Sequence, residues 1–184
     1  LFQTLFNIVD TYFAGKISSD ALSALAKSFP IYFILIAASV GVTVGGTSLI
    51  ANSIGEKNKE NVLKFFGQTI LYGIFLSVIV TIVGLSFASN IFELMGSSVK
   101  VIKLGLLYTD VIFSGSVFFI SVVALNSLLH AEGDTKTFRN VLILSFFLNI
   151  LLNPLFIFGF GPIPAMGMTG IGVATILCQI IALL

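Results

Sequence analysis

Apolar residues fall into long runs that short clusters of charge interrupt. Residues 1–13 form the first apolar stretch. Longer ones run from about Ser28 to Ile54, Val62 to Ala88, Val101 to Leu129 and Val141 to Phe160, and a sixth begins near Met166. A helix that crosses the hydrocarbon core of a bilayer needs about 20 apolar residues, and four of these runs reach that length. The breaks "GKISSD", "GEKNKEN", "SNIFELMGSSVK" and "AEGDTKTFR" carry most of the charge, while the last, "GFGPIPAMG", is uncharged but rich in residues that stop helices. The pattern predicts an all-α, polytopic membrane bundle of about six helices in antiparallel order. It reads as a single lobe over residues 1–184, with its first and last helices cut short. In "AEGDT", Gly133 suits a helix stop and Asp134 or Thr135 the cap of the next helix. Ala37, Gly41 and Gly45 recur every four residues, a small-residue face that predicts close approach of a neighbouring helix.

Composition supports a membrane protein. Apolar residues make up 57% of the chain and charged residues 9%, against roughly 25% charged in soluble domains, and mean hydropathy is +1.12. A net charge of +1 gives no electrostatic case for nucleic acid. The single Cys178 allows no internal disulfide, and no Walker loop, nucleophile elbow, HExxH or paired-cysteine motif points to an enzyme. The breaks after the second and fourth runs carry Lys57, Lys59, Lys64, Lys136 and Arg139, against Lys16, Lys27, Lys100 and Lys103 on the other side. By a margin of one residue, the positive-inside rule places the even-numbered breaks in the cytoplasm.

Polar residues inside the runs carry the candidate chemistry. Successive helical residues turn by about 100°, so Gln3, Asn7 and Asp10 form one stripe. Interhelical hydrogen bonding accounts for the two amides as well as function does. It does not account for a carboxylate with no basic partner in its segment, and intramembrane ionisable residues are functional candidates by default. The fifth run repeats the pattern. Ser145, Asn149 and Asn153 share a face, and Pro154 removes a backbone donor, which makes an oxygen-rich site suited to a small cation or a proton-linked network. Thr175 with Gln179, Gln68 with Tyr72, and Asn126 extend the set; each alone reads as packing glue, and together they predict a polar interior. Asp110 reads as solvated near the start of the fourth run. His130, with no second histidine in the chain, reads as an interfacial residue.

Six segments in series, "VDTYFAGKISSDALSALA", "NSIGEKNKE", "LMGSSVKVIKLGLLYTDV", "LHAEGDTK", "LNILLNPLFIFGFG" and "MGMTGIGVAT", resemble the MATE family of multidrug and toxic compound extrusion transporters. The resemblance implies a fold of twelve helices in two six-helix lobes, of which this chain is similar to the N-terminal one, with a C-terminal lobe as its partner. It also implies export of cationic or amphipathic compounds in exchange for H⁺ or Na⁺. Asp10 matches the first-helix carboxylate of the family's N-lobe cation site, Gln3 a polar residue seven positions before it, and Asn149 a fifth-helix Asn of the same site. Asn153 falls where many members carry a second carboxylate, a departure that leaves the coupling ion open. Asn126 and Thr175 match polar pocket residues, and His130 stands where an Arg is more usual.

These readings give a multi-pass protein of the cell membrane, in bacteria the inner membrane. Asp10, Asn149, Asn153 and Thr175 are its expected cation-coupling set, a possible Na⁺ position lies at Asp10 and Asn149, and Gln3, Asn7 and Asn126 are its expected substrate pocket. No cofactor beyond the coupling ion is expected. Cation and proton would compete for one carboxylate, which suffices to couple opposite fluxes in an alternating-access protein. The rival readings are a flippase of lipid-linked precursors, which calls for a basic cavity, and a structural membrane subunit, which predicts that Asp10→Asn is harmless.

Overall fold

The helices are longer than the apolar runs and the breaks correspondingly shorter. A computed structural model describes the backbone of residues 2–183 and the side chains of residues 6–183. Its elements are α1 (Phe2–Ile17), α2 (Ser19–Gly55), α3 (Lys59–Leu94), α4 (Val99–Ser114), α5 (Ser116–Glu132), α6 (Thr135–Phe158) and α7 (Met168–Ala182). Side-chain caps explain where the long helices begin. Ser18 accepts a hydrogen bond from the Ala21 amide at 3.0 Å and Asn58 one from the Asn61 amide at 3.1 Å, so α2 and α3 start in the charged segments rather than at the first apolar residue. At the α5–α6 turn, Gly133 closes α5 in the left-handed conformation (φ 80°) and Asp134 accepts from the amides of Lys136 and Thr137, as the "AEGDT" reading expects. The Thr137 hydroxyl also donates to Asp134, and these hydrogen bonds hold its carboxyl below the usual carboxylate range.

Among the described residues, α2, α3 and α6 are each long and apolar enough to cross a membrane, and α4 with α5 makes a fourth, broken span bent by 45°. The uninterrupted apolar run predicts one helix over residues 101–129, and the structure corrects this. Gly115 sits at the break because a Cβ there would lie 2.2 Å from Ile176 of α7. The break frees backbone groups at membrane depth, where each unpaired group is costly. Residues of α3 meet that need: the Thr81 hydroxyl donates to the Phe113 carbonyl at 2.7 Å and lies 2.8 Å from Ser116 Oγ, and Ser116 donates to the Ser77 carbonyl at 3.1 Å. Thr81→Val should therefore cost about 1 kcal/mol, within the range of interhelical hydrogen bonds in membrane proteins. Thermal unfolding of the detergent-solubilised protein checks this.

Two further expectations are corrected. Ala37, Gly41 and Gly45 are exposed, and a Cβ at Gly41 or Gly45 would meet nothing within 4 Å. The glycine of α2 that admits a neighbour is Gly46, whose Cβ would fall 2.5 Å from Thr69. Gln68 and Tyr72 also point outward and take no part in the interior. Asp110 is exposed, as expected, but it lies one turn before the Gly115 break, in the middle of the bent span rather than near its end.

Candidate functional site

Asp10 is 2% exposed and meets two other helices. From α6, one turn apart on the same face, Asn153 Nδ2 donates to Asp10 Oδ1 at 2.9 Å and Asn149 Nδ2 to the same oxygen at 3.4 Å. Asn153 Nδ2 also donates to Asn149 Oδ1 at 3.1 Å. From α7, the Thr175 hydroxyl donates to Asp10 Oδ2 at 3.2 Å. Asn149 and Asn153 are fully buried. The spacings seen in the sequence produce this cluster: the i, i+4 asparagines form one rung pair, and Pro154 is carried inside a continuous α6.

The chemistry of the cluster is asymmetric. One carboxylate accepts from three neutral side chains, and no Lys or Arg bonds to it among the described residues. The ion pair found there, Lys100 with Asp20, lies at exposed ends of α4 and α2. Asn153 Oδ1, wholly buried, has no hydrogen-bond partner among the described residues, an unpaired acceptor of the kind that structures seldom leave without a reason. Asp10, Asn149, Asn153 and Thr175 thus bring carboxylate, amide and hydroxyl oxygens together, a donor set suited to a hard monovalent cation or to a proton shared with the carboxylate. No cluster of His, Cys, Asp and Glu that would hold a transition metal occurs among the described residues.

Asp10 and Thr175 open onto a cavity of about 250 Å³ between α1, α2, α4, α5, α6 and α7. Asn7 and Asn126 line it, in keeping with the sequence reading, while the Gln3 side chain lies outside the described residues. Other lining residues were not singled out for this role. Tyr32 and Tyr108 flank Asp10's cavity, and Ser39 and Thr43 of α2 line it as well. The i, i+4 spacing of Ser39 and Thr43 was a usable signal. Their hydroxyls bond back to the Leu35 and Ser39 carbonyls, at 2.8 and 2.9 Å, so they soften the wall without adding an unpaired donor. His130 ends the fourth span, as expected of an interfacial residue, and lines this same cavity with its ring edge-on to Phe138, the centroids 5.6 Å apart.

A sequence profile described as MatE matches residues 1–155. The chain is 31% identical over 179 residues to the probable multidrug resistance protein YoeA of Bacillus subtilis, 33% over 185 residues to the probable multidrug resistance protein NorM of Thermotoga maritima, and 27% over 178 residues to an FAD transporter of Shewanella oneidensis. Each alignment takes in 97% of this chain and 39% of the relative, so the chain spans about two fifths of the length of these relatives. A crystal structure of MATE in the bent conformation superposes with a TM-score of 0.91, and an inward-facing multidrug resistance MATE transporter with 0.90. Both are at 29% identity, covering 98% of this chain and 40% of theirs. The helical order, the membrane-spanning composition and the profile match agree, and the chain belongs to the MatE family of multi-pass membrane transporters.

Proposed function

We propose that this chain forms one lobe of a secondary active transporter that exports cationic or amphipathic small molecules in antiport with H⁺ or Na⁺, working with a second, C-terminal lobe of the same protein. The observation that carries the reading is a single buried carboxylate, Asp10, held by neutral donors at the wall of a cavity wide enough for a small organic molecule. In this reading Asn149, Asn153 and Thr175 act as its coupling partners, and Gln3, Asn7 and Asn126 face the substrate, Gln3 on the strength of the resemblance alone. Binding of a cation neutralises the carboxylate, and protonation does the same. Either ligand therefore displaces the other, which is the thermodynamic core of exchange. The names of relatives concerned with multidrug resistance support export of varied small molecules. The FAD transporter relative carries an anionic cargo by name. Among the described residues no Lys or Arg lines the cavity, which favours cations and speaks against the flippase reading, whose pyrophosphate cargo calls for a basic wall.

The test uses the full-length protein in proteoliposomes. It should export ethidium when a proton or sodium gradient is imposed, and export confined to anionic dyes would overturn the reading. Asn153→Asp places a second carboxylate beside Asp10, and two acids in contact share a proton or recruit a cation. That variant should show a stronger sodium dependence or a displaced pH optimum of ethidium export, and unchanged profiles in both would remove Asn153 from the coupling set.

A further inference from the structure

Resting on that reading, we infer that the outer face of the lobe carries a second cation site, a cleft between α4, α5 and α7 in which Asp110 pairs with an amphipathic organic monocation that arrives from the bilayer. The cleft has a volume of about 440 Å³ and shares no lining residue with the cavity beside Asp10. Gly115 and Ile176 are its buried floor, where the broken span turns by 45° against α7. Phe118, Val173 and Leu177 are its half-buried apolar walls, and Asp110 and Ser114, one turn apart on α4, are exposed at its mouth. Successive helical residues turn by about 100°, so Asp110 points about 160° away from Tyr108, which lines the Asp10 cavity. A second lobe that shares the substrate closes on that cavity, which leaves the opposite face of α4 and α7 to lipid.

Asp110 lacks a counter-charge. No described Lys, Arg or His lies within ion-pair distance of it, and the ion pair among the described residues is Lys100 with Asp20. Lys103 shares the outward stripe of α4 with Leu107, Asp110 and Ser114, but it sits seven residues earlier, about 10 Å nearer the end of the span. Asp110 lies eleven residues beyond Val99, about 16 Å along the helix axis. At that depth an unpaired carboxylate is costly, and such residues pair or serve a ligand. The chemistry of the cleft selects the partner. A metal ion needs several oxygens in place of its water shell, and one carboxylate with one hydroxyl does not supply them. An alkylammonium brings its own apolar substituents and needs a single counter-charge. Phe118 adds an aromatic ring of the kind on which such groups pack. The alkyl body loses its contact with water against Val173, Ile176 and Leu177. An anion would be repelled. The occupant is therefore a monocation with its charge at Asp110 and its apolar body along α7.

Two probes that differ only in charge decide the matter: dodecyltrimethylammonium carrying a diazirine within its chain, and the matching neutral dodecanol. Each is photo-crosslinked to the full-length protein in phosphatidylcholine nanodiscs, and the labelled residues are read by mass spectrometry. Labelling at Phe118 and Val173 is divided by labelling at Phe75, an exposed residue of α3 that reports ordinary contact with lipid. In the wild type this ratio should be about tenfold higher for the cation than for the alcohol, as an ion pair in a low-dielectric cleft implies. The excess should vanish in Asp110→Asn and survive in Asp110→Glu, which keeps the charge. Leu177→Trp, which fills the cleft and leaves Asp110 in place, should lower it too and covers the case in which Asp110→Asn fails to fold. Equal ratios for the two probes in the wild type, as expected if a basic side chain of the second lobe covers Asp110, would overturn the site. So would an excess that persists in Asp110→Asn. Asp10→Asn should keep the excess, so ethidium export reads the coupling proposal separately and either idea can fail while the other stands.

Discussion

Asp10→Asn should fold like the wild type and transport like an empty membrane. The amide keeps the size of the carboxylate, and its oxygen still accepts from Asn149 and Asn153. Its nitrogen would face Thr175, whose hydroxyl rotates to accept in place of donating. The change removes a desolvated acid rather than creating a buried charge, so stability should hold or rise. What disappears is titration: an amide neither binds a proton near neutral pH nor neutralises a cation. Gradient-driven export of ethidium in proteoliposomes should drop to the level of protein-free vesicles, with the melting temperature preserved. Wild-type rates at every pH, with and without sodium, would show that this carboxylate is not the coupling group and would favour the structural-subunit reading.

Gly170→Ala should be the most damaging of the conservative substitutions. In an unconstrained helix the exchange is favourable by about 1 kcal/mol. Here the new Cβ would sit 2.6 Å from the Phe156 carbonyl oxygen and 2.9 Å from the Ile157 nitrogen. Both are backbone atoms of α6 and cannot rotate aside, so α7 must move away. Overpacking of this kind costs about 1–3 kcal/mol. The shift would also draw Thr175, five residues on, away from Asp10, and should weaken ion coupling beyond the loss of stability. The matched comparison is Gly41→Ala, where a Cβ meets nothing within 4 Å. It should be neutral or raise the melting temperature. Equal effects at the two glycines would show that the contact between α6 and α7 gives way freely.

The site was more legible in the sequence than the detailed fold. Charged and amide residues inside apolar runs stand out because hydrocarbon excludes them, and helical spacing alone put Asn149 and Asn153 on one face, where they meet Asp10. The division of residues 99–132 into α4 and α5 was not legible, since Gly115 lies in an apolar run and the bend depends on Ile176 and Thr81, sixty-one residues downstream and thirty-four upstream. The Ala37, Gly41 and Gly45 stripe misled for the same reason: small residues permit close approach, but only the tertiary arrangement decides which of them a neighbour uses. His130 belongs to the cavity because α6 starts beside it, a contact set by the α5–α6 turn that no local pattern around "LHAEGDT" announces.

The neutral company of Asp10 has an electrical consequence. Amides and a hydroxyl surround the carboxylate, and no basic side chain bonds to it among the described residues. The vacant site then carries a full negative charge, while a site holding one proton or one monovalent cation carries none. A membrane potential acts on a moving charge with up to about 2.3 kcal/mol per 100 mV. In a transporter built on this lobe, the loaded form changes conformation indifferent to voltage, and the unloaded form, if it turns over at all, is the voltage-sensitive one. In the proposed antiport both legs of the cycle move a loaded site, so coupled exchange of a monovalent cation should be indifferent to an imposed potential and only a leak through the vacant form should respond to one.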